Sequence, residues 1–124
     1  MAANEIWLEE KSGEARLLVP KLRIADSFWP RLKGLLGTSA LAEGQGLLLS
    51  PCNSVHTFGM RYAVDVIFLD SAWRIHKIVE NMAPWRGSCC WRAAAVLELP
   101  AGTVRQAGLQ VEQQLRHSRL DREA

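Results

Sequence analysis

The run at residues 64–70, Val-Asp-Val-Ile-Phe-Leu-Asp, constrains this chain more than any other stretch. Side chains on a strand alternate between its two faces, so Asp65, Ile67 and Leu69 share one side and Val64, Val66, Phe68 and Asp70 the other. Asp65 then opens a row that faces either the core or a concave pocket. Burying a charge without a partner costs several kcal/mol or forces the group to take up a proton, so a carboxylate in this place implies a local reason. The nearby candidates are the side chains of Arg61 and His56, or backbone N–H groups of an adjoining turn. The architectural reading outweighs catalysis or ligand binding, because buried polar groups mostly serve to satisfy their neighbours.

Around this strand the chain reads as mainly β. At the start, Glu-Ile-Trp-Leu-Glu-Glu and Ala-Arg-Leu-Leu-Val flank Lys-Ser-Gly, which predicts a hairpin turning at Gly13. Asp26 is a suitable helix N-cap. Trp29, Leu32, Leu35 and Leu36 follow at helical spacing, Pro30 falls in the first turn, and Gly37 can close the helix. The segments Gly-Leu-Leu-Leu-Ser, Val-Asp-Val-Ile-Phe-Leu-Asp and Trp-Arg-Ile-His-Lys-Ile-Val-Glu-Asn read as adjacent antiparallel strands, the last two joined tightly through Asp-Ser-Ala-Trp. Residues 82–93 read as a long loop, Ala-Ala-Val-Leu-Glu-Leu-Pro resumes as a strand, and a short helical turn follows before a break at Gly108. A final strand is expected near residues 111–115, then a fraying tail over 117–124. The expected fold class is α+β, mainly β: a single curved antiparallel sheet or partial barrel, with one short helix packed over an opening.

The chain has 124 residues, 48% of them hydrophobic and 23% charged, which suits one ordinary globular domain with one core. Its net charge of +2 is too small to imply a polyanionic partner, although a local patch can hide in a near-neutral average. The first residues, Met-Ala-Ala-Asn-Glu-Ile-Trp-Leu-Glu-Glu, are acidic where an export signal is basic and then continuously apolar. No apolar run approaches the roughly 20 residues that cross a bilayer. A soluble, cytoplasmic protein with no membrane partner is therefore expected. Its cysteines, Cys52, Cys89 and Cys90, are expected as reduced thiols.

Three features carry candidate chemistry. His56 is bordered by small and apolar residues, whereas His76 lies among Trp-Arg-Ile-His-Lys and His117 in the polar tail, so His56 is the histidine expected to face a pocket. Cys52 and His56 with Cys89 and Cys90 are a poor match to zinc-ligand spacing, and no metal or other cofactor is expected. The dipeptide Trp-Arg occurs three times, as Trp73-Arg74, Trp85-Arg86 and Trp91-Arg92. On a strand the plain explanation is Trp inside and Arg outside. The segment from Pro84 to Trp91 is too irregular for a strand and too rich in tryptophan for a freely solvated loop, so it is expected to rest on something.

The ordered set Arg-Leu-Lys-Gly-Leu-Leu-Gly, Gly-Leu-Leu-Leu, His-Thr-Phe-Gly-Met-Arg-Tyr-Ala-Val-Asp-Val-Ile-Phe-Leu-Asp, Met-Ala-Pro-Trp and Val-Leu-Glu-Leu-Pro-Ala-Gly resembles domain-of-unknown-function family 192, from about Phe28 to Leu115. The family signature maps onto Gly34, Leu35, His56, Thr57, Met60, Asp65, Phe68, Asp70, Pro84, Glu98, Pro100 and Gly102. The resemblance implies a small, mainly β domain and leaves the reaction open.

The residues themselves favour a ligand-binding or interaction module. Its expected cleft is bounded by His56, Thr57, Arg61 and Asp65 on one wall and by Trp85 and Arg86 on the other, and it is expected to take a small anionic ligand. The alternative is a small enzyme using His56 or Asp65 as general acid or base, less favoured because no second convergent group is visible. Docking of nucleic acid or protein through the Trp/Arg loop ranks below both.

Overall fold

A computed structural model of the chain describes residues 4–25, 41–57 and 60–118. The helix expected from Asp26 to Gly37, with the motif positions Gly34 and Leu35, lies outside these residues, as does the tail at 119–124. The elements run in the order β1 (Ile6–Glu9), β2 (Ala15–Val19), β3 (Lys21–Ala25), β4 (Gln45–Leu49), β5 (Ser54–His56), β6 (Val64–Leu69), β7 (Ile75–Met82), β8 (Gly87–Cys89), β9 (Ala95–Pro100), α1 (Thr103–Ala107) and β10 (Leu115–His117).

The described strands form three sheets rather than the single curved sheet expected. One has the order β10-β1-β2, one β3-β4-β9-β6-β7, and the third is the ribbon β5-β8. The β1–β2 hairpin turns at Gly13, whose φ of 92° favours a residue without Cβ. Pro20 follows β2 and has no N–H for a ladder, and there the chain leaves the first sheet for the second. The antiparallel expectation also fails at one pair, since β3 and β4 run parallel in register from Lys21 opposite Gln45 to Ala25 opposite Leu49. A parallel pair needs a connection of a dozen or more residues, and β3 and β4 are separated in sequence by residues 26–44.

The strand order differs from sequence order in one consequential place. β6 and β7 pair as expected, but β9 inserts between β4 and β6, antiparallel to both. β9 is therefore the middle strand of the five-stranded sheet. On one face of that sheet, Ile67, Leu69, Leu97 and Leu99 pack with Ile6, Leu8 and Leu115 of the three-stranded sheet and with Val104 of α1. On the other, Leu47, Leu49, Val64, Val66, Phe68 and Val96 pack with Met60, Met82 and, from the ribbon, Val55. With both faces covered, every residue of β6 is buried.

Close approach of the two sheets fixes one glycine. A Cβ on Gly46 would lie 2.9 Å from Val19 Cγ1 and 3.2 Å from Leu99 Cδ2. Gly46→Ala should destabilise by about 1–3 kcal/mol through overpacking. Urea unfolding should show a lower midpoint at unchanged slope. A loss below about 0.5 kcal/mol, the range of surface substitutions, would mean that the two layers part here without cost.

The C-terminal strand forms later than expected. Residues 111–112 are a turn, with Glu112 at φ 80° and its N–H bonded to the Ile75 carbonyl, and β10 begins at Leu115. His117, expected in a polar tail, is buried in β10 and stacks on Trp73 with ring centroids 5.7 Å apart.

Candidate functional site

Asp65 lies where the sequence places it, on the same face of β6 as Ile67 and Leu69, and it is fully buried. Its partners are backbone groups, not Arg61 or His56. Oδ1 accepts the Asn81 N–H at 2.7 Å, and Oδ2 accepts the N–H groups of Gly102 and Val104 at 3.1 and 2.9 Å. Two local features explain the three donors. Between Val64–Met82 and Val66–Val79 the register shifts by one residue, a β-bulge, and Asn81 in it has φ 51°. α1 starts at Gly102, a cap with φ 96° and no side-chain oxygen of its own. Asp65 supplies the capping oxygen from a different strand and ties the bulge to the helix start. That accounts for the carboxylate in an apolar run.

Thr57 clamps a turn. Its Oγ1 donates to the Ala83 carbonyl at 2.7 Å and accepts the Arg86 N–H at 2.9 Å, while its main chain accepts from Trp85 at 3.0 Å and donates to Arg86 at 2.8 Å. These bonds continue into the β5–β8 ribbon, where His56 lies opposite Gly87 and Ser54 opposite Cys89. The structure therefore brings His56, Thr57, Trp85 and Arg86 together, with Pro84 half-buried in the clamped turn. It does so as hydrogen-bonded neighbours along one ribbon, not as facing walls of a cleft. Asp65 belongs to another face of the sheet, and Arg61 is exposed.

Two expectations about this segment are corrected. Gly87 to Cys89 forms a strand because β5 offers it a partner edge. The flanking tryptophans are not packed inside: Trp85 is 65% exposed and Trp91 82% exposed. Trp85, at φ 63°, sits in a turn whose hydrogen bonds to Thr57 hold it out. Trp91 carries the Arg92 guanidinium over its ring at 5.1 Å. His56, expected to face a pocket, is exposed as well.

Several other motif residues make local contacts. Asp70 closes the β6–β7 turn: Oδ1 accepts the N–H groups of Ala72 and Arg74, and Oδ2 lies 2.8 Å from His76 Nε2. Burial alone would raise the Asp70 carboxyl, but the Arg74 N–H, the His76 ring and the Ala72 N–H together hold it below its ordinary value. The Pro100 carbonyl accepts the Thr103 hydroxyl at the start of α1. Met60 and Phe68 are buried in the cluster beneath the ribbon. Cys52, Cys89 and Cys90 are free thiols, and among the described residues no three His, Cys, Asp or Glu side chains are placed to hold a metal ion.

Glu98 is different. It lies in the middle of β9, opposite Leu47 on β4 and Val66 on β6. Alternation along β9 sets it on the face of Val96, the face the ribbon partly covers, and it is 4% exposed. Its Oε2 is buried and has no hydrogen-bond partner among the described residues. Desolvation among apolar neighbours pushes its carboxyl up from 4.5 to about 7. Sequence reading assigned Glu98 only to the family motif. The signal that singles out Asp65, a carboxylate inside an apolar strand, was equally present in Ala-Val-Leu-Glu-Leu-Pro.

Comparison with known proteins agrees with this architecture. A crystal structure of a protein from Sinorhizobium meliloti 1021, named as a proposed transcription regulator, superposes with a TM-score of 0.81 at 25% identity, covering 94% of this chain and 95% of that one. A protein of unknown function from Novosphingobium aromaticivorans DSM 12444 superposes with a TM-score of 0.77 at 18% identity, over 90% of this chain and 83% of that one. No curated protein matches the sequence. The family model DUF192, described as "Uncharacterized ACR, COG1430", matches residues 8–117, and the chain belongs to that family.

Proposed function

We propose that this chain is a ligand-binding module whose site lies on the ribbon side of the five-stranded sheet. Glu98 is its polar anchor, and the ligand is a small molecule that offers a hydrogen-bond-donating nitrogen. The observation that carries this reading is the buried Glu98 Oε2 without a partner among the described residues. A buried polar group left unpaired costs about 1–3 kcal/mol, and more when charged, and a ligand N–H or ammonium at that oxygen offsets the cost. Apolar surroundings with one or a few polar groups are the usual make-up of small-molecule sites. An anion, the ligand class expected from Arg61 and Arg86, is repelled by Glu98 once ionised, so that chemistry belongs to another surface. Catalysis is the weaker reading, because the residues directly opposite Glu98 on both neighbouring strands, Leu47 and Val66, are apolar. The Sinorhizobium meliloti protein is named as a regulator, which agrees with binding rather than turnover.

The test is thermal unfolding with millimolar primary amines, guanidines and amides, at pH 6 and pH 8. A binder present at a hundredfold over its Kd stabilises by about 2.7 kcal/mol, which for a chain of this size raises Tm by roughly 10 °C. An ammonium ligand should act more strongly at pH 8, where Glu98 is ionised, and its effect should be lost in Glu98→Leu. If no compound of these classes shifts Tm, or if Glu98→Leu keeps the shift, Glu98 is not the anchor.

A further inference from the structure

We propose that the outer face of the β5–β8 ribbon is a docking surface for single-stranded nucleic acid, separate from Glu98 and independent of the reading built on it. Trp85 and Trp91 flank β8, one on each side, and are the two most exposed large apolar side chains among the described residues. Exposing an indole to water forfeits most of what its burial contributes, and the Thr57 clamp together with a left-handed backbone at Trp85 maintains that exposure in the folded chain.

Charge decides the class of partner. Acidic residues number 13 along the chain against 15 lysines and arginines. Yet residues 44–64 and 81–97, which contain both ribbon strands and their flanks, hold no Asp or Glu, while Arg61, Arg86 and Arg92 in them are all exposed. The ribbon segments thus carry exposed cations and no acids, and Lys77 Nζ, which donates to the Cys89 carbonyl at 2.9 Å, adds a further positive charge at β8. A cationic patch alone would suit any polyanion. Two solvent-facing indoles beside the arginines add planar surfaces on which unpaired bases stack, while the guanidiniums meet phosphates; an acidic peptide or a duplex offers no free base for them. Arg92, already over the Trp91 ring, has an aromatic partner that orients it for this role.

The experiment is quenching of intrinsic tryptophan fluorescence by 12-nucleotide oligothymidylate and oligouridylate, with a 12-base-pair duplex and oligoglutamate as the other arms. Both single strands should quench at 50 mM salt. With three arginines on phosphates the slope of log K against log salt is about −2, so affinity should fall about twentyfold between 50 and 200 mM. Trp91→Ala should weaken binding at least about fivefold, and Trp91→Phe should restore part of it. Trp91 is so exposed that neither change should move the thermal midpoint, and Glu98→Leu should leave oligonucleotide binding unchanged. Absence of quenching at 50 mM salt overturns the proposal. Binding of the duplex or of oligoglutamate as tight as that of the single strands overturns it too, since the patch would then be only electrostatic. Full affinity in Trp91→Ala does the same for stacking.

Discussion

Asp65→Ala should destabilise the fold by about 3–5 kcal/mol, the range for removing one partner of a buried charged network. The carboxylate accepts three backbone N–H groups, from Asn81, Gly102 and Val104, and alanine leaves all of them without that acceptor, the Val104 bond fully buried and the other two partly so. Each such loss costs about 1–3 kcal/mol, and partial relaxation of the bulge and helix start keeps the total below the plain sum. Asp65→Asn keeps one oxygen and turns an amide NH2 toward the remaining donors, so it should fall between the wild type and alanine. Urea unfolding measures both. Hydrogen exchange adds a local reading, because the Asn81 and Val104 amides should lose protection before the rest of β6 and β9. A loss under about 0.5 kcal/mol in Asp65→Ala would show that the bulge and α1 hold without it.

Glu98 should make the chain less stable as pH rises. Its carboxyl titrates near 7 when folded and near 4.5 when unfolded, so between these values the native state holds a proton that the unfolded state has released. Stability then falls as pH rises. The contribution is fully present below pH 4.5 and is lost by the time pH passes about 7. At 1.36 kcal/mol per pH unit over roughly two and a half units, the loss is about 3 kcal/mol. Glu98→Gln cannot ionise and should flatten this slope, leaving the variant more stable than the wild type at pH 8 by about 1–3 kcal/mol, the smaller value if the amide NH2 finds no acceptor. Denaturation midpoints at pH 5, 6, 7 and 8 for the two proteins decide it. Parallel curves would mean that Glu98 is ionised throughout and paired.

The two carboxylates show how far the sequence could be read. Both interrupt apolar strands, and physical chemistry demands a reason for each. For Asp65 the outcome, backbone satisfaction, followed from how buried polar groups usually behave. Its partners did not, because Asn81 and Gly102 reach it only through a bulge in β7 and a helix that starts beyond the neighbouring strand. For Glu98 the orphaned oxygen depends on β9 being the central strand, and sequence order, which set β4 beside β6, hid that.

Local pattern by itself determined β1, β2, β4, β6, β7 and β9, the turn at Gly13, the break at Gly108 and the alternation that sorts β6 into two faces, because those depend on residues a few positions apart. The tertiary structure alone decided which edges meet. Pairing of β5 with β8 made a strand of an irregular-looking segment and held Trp85 and Trp91 in solvent, where the tryptophan content of that segment predicts that it rests on something. A parallel β3–β4 pair and the insertion of β9 between β4 and β6 rest on contacts between residues far apart in the chain, which no local preference encodes.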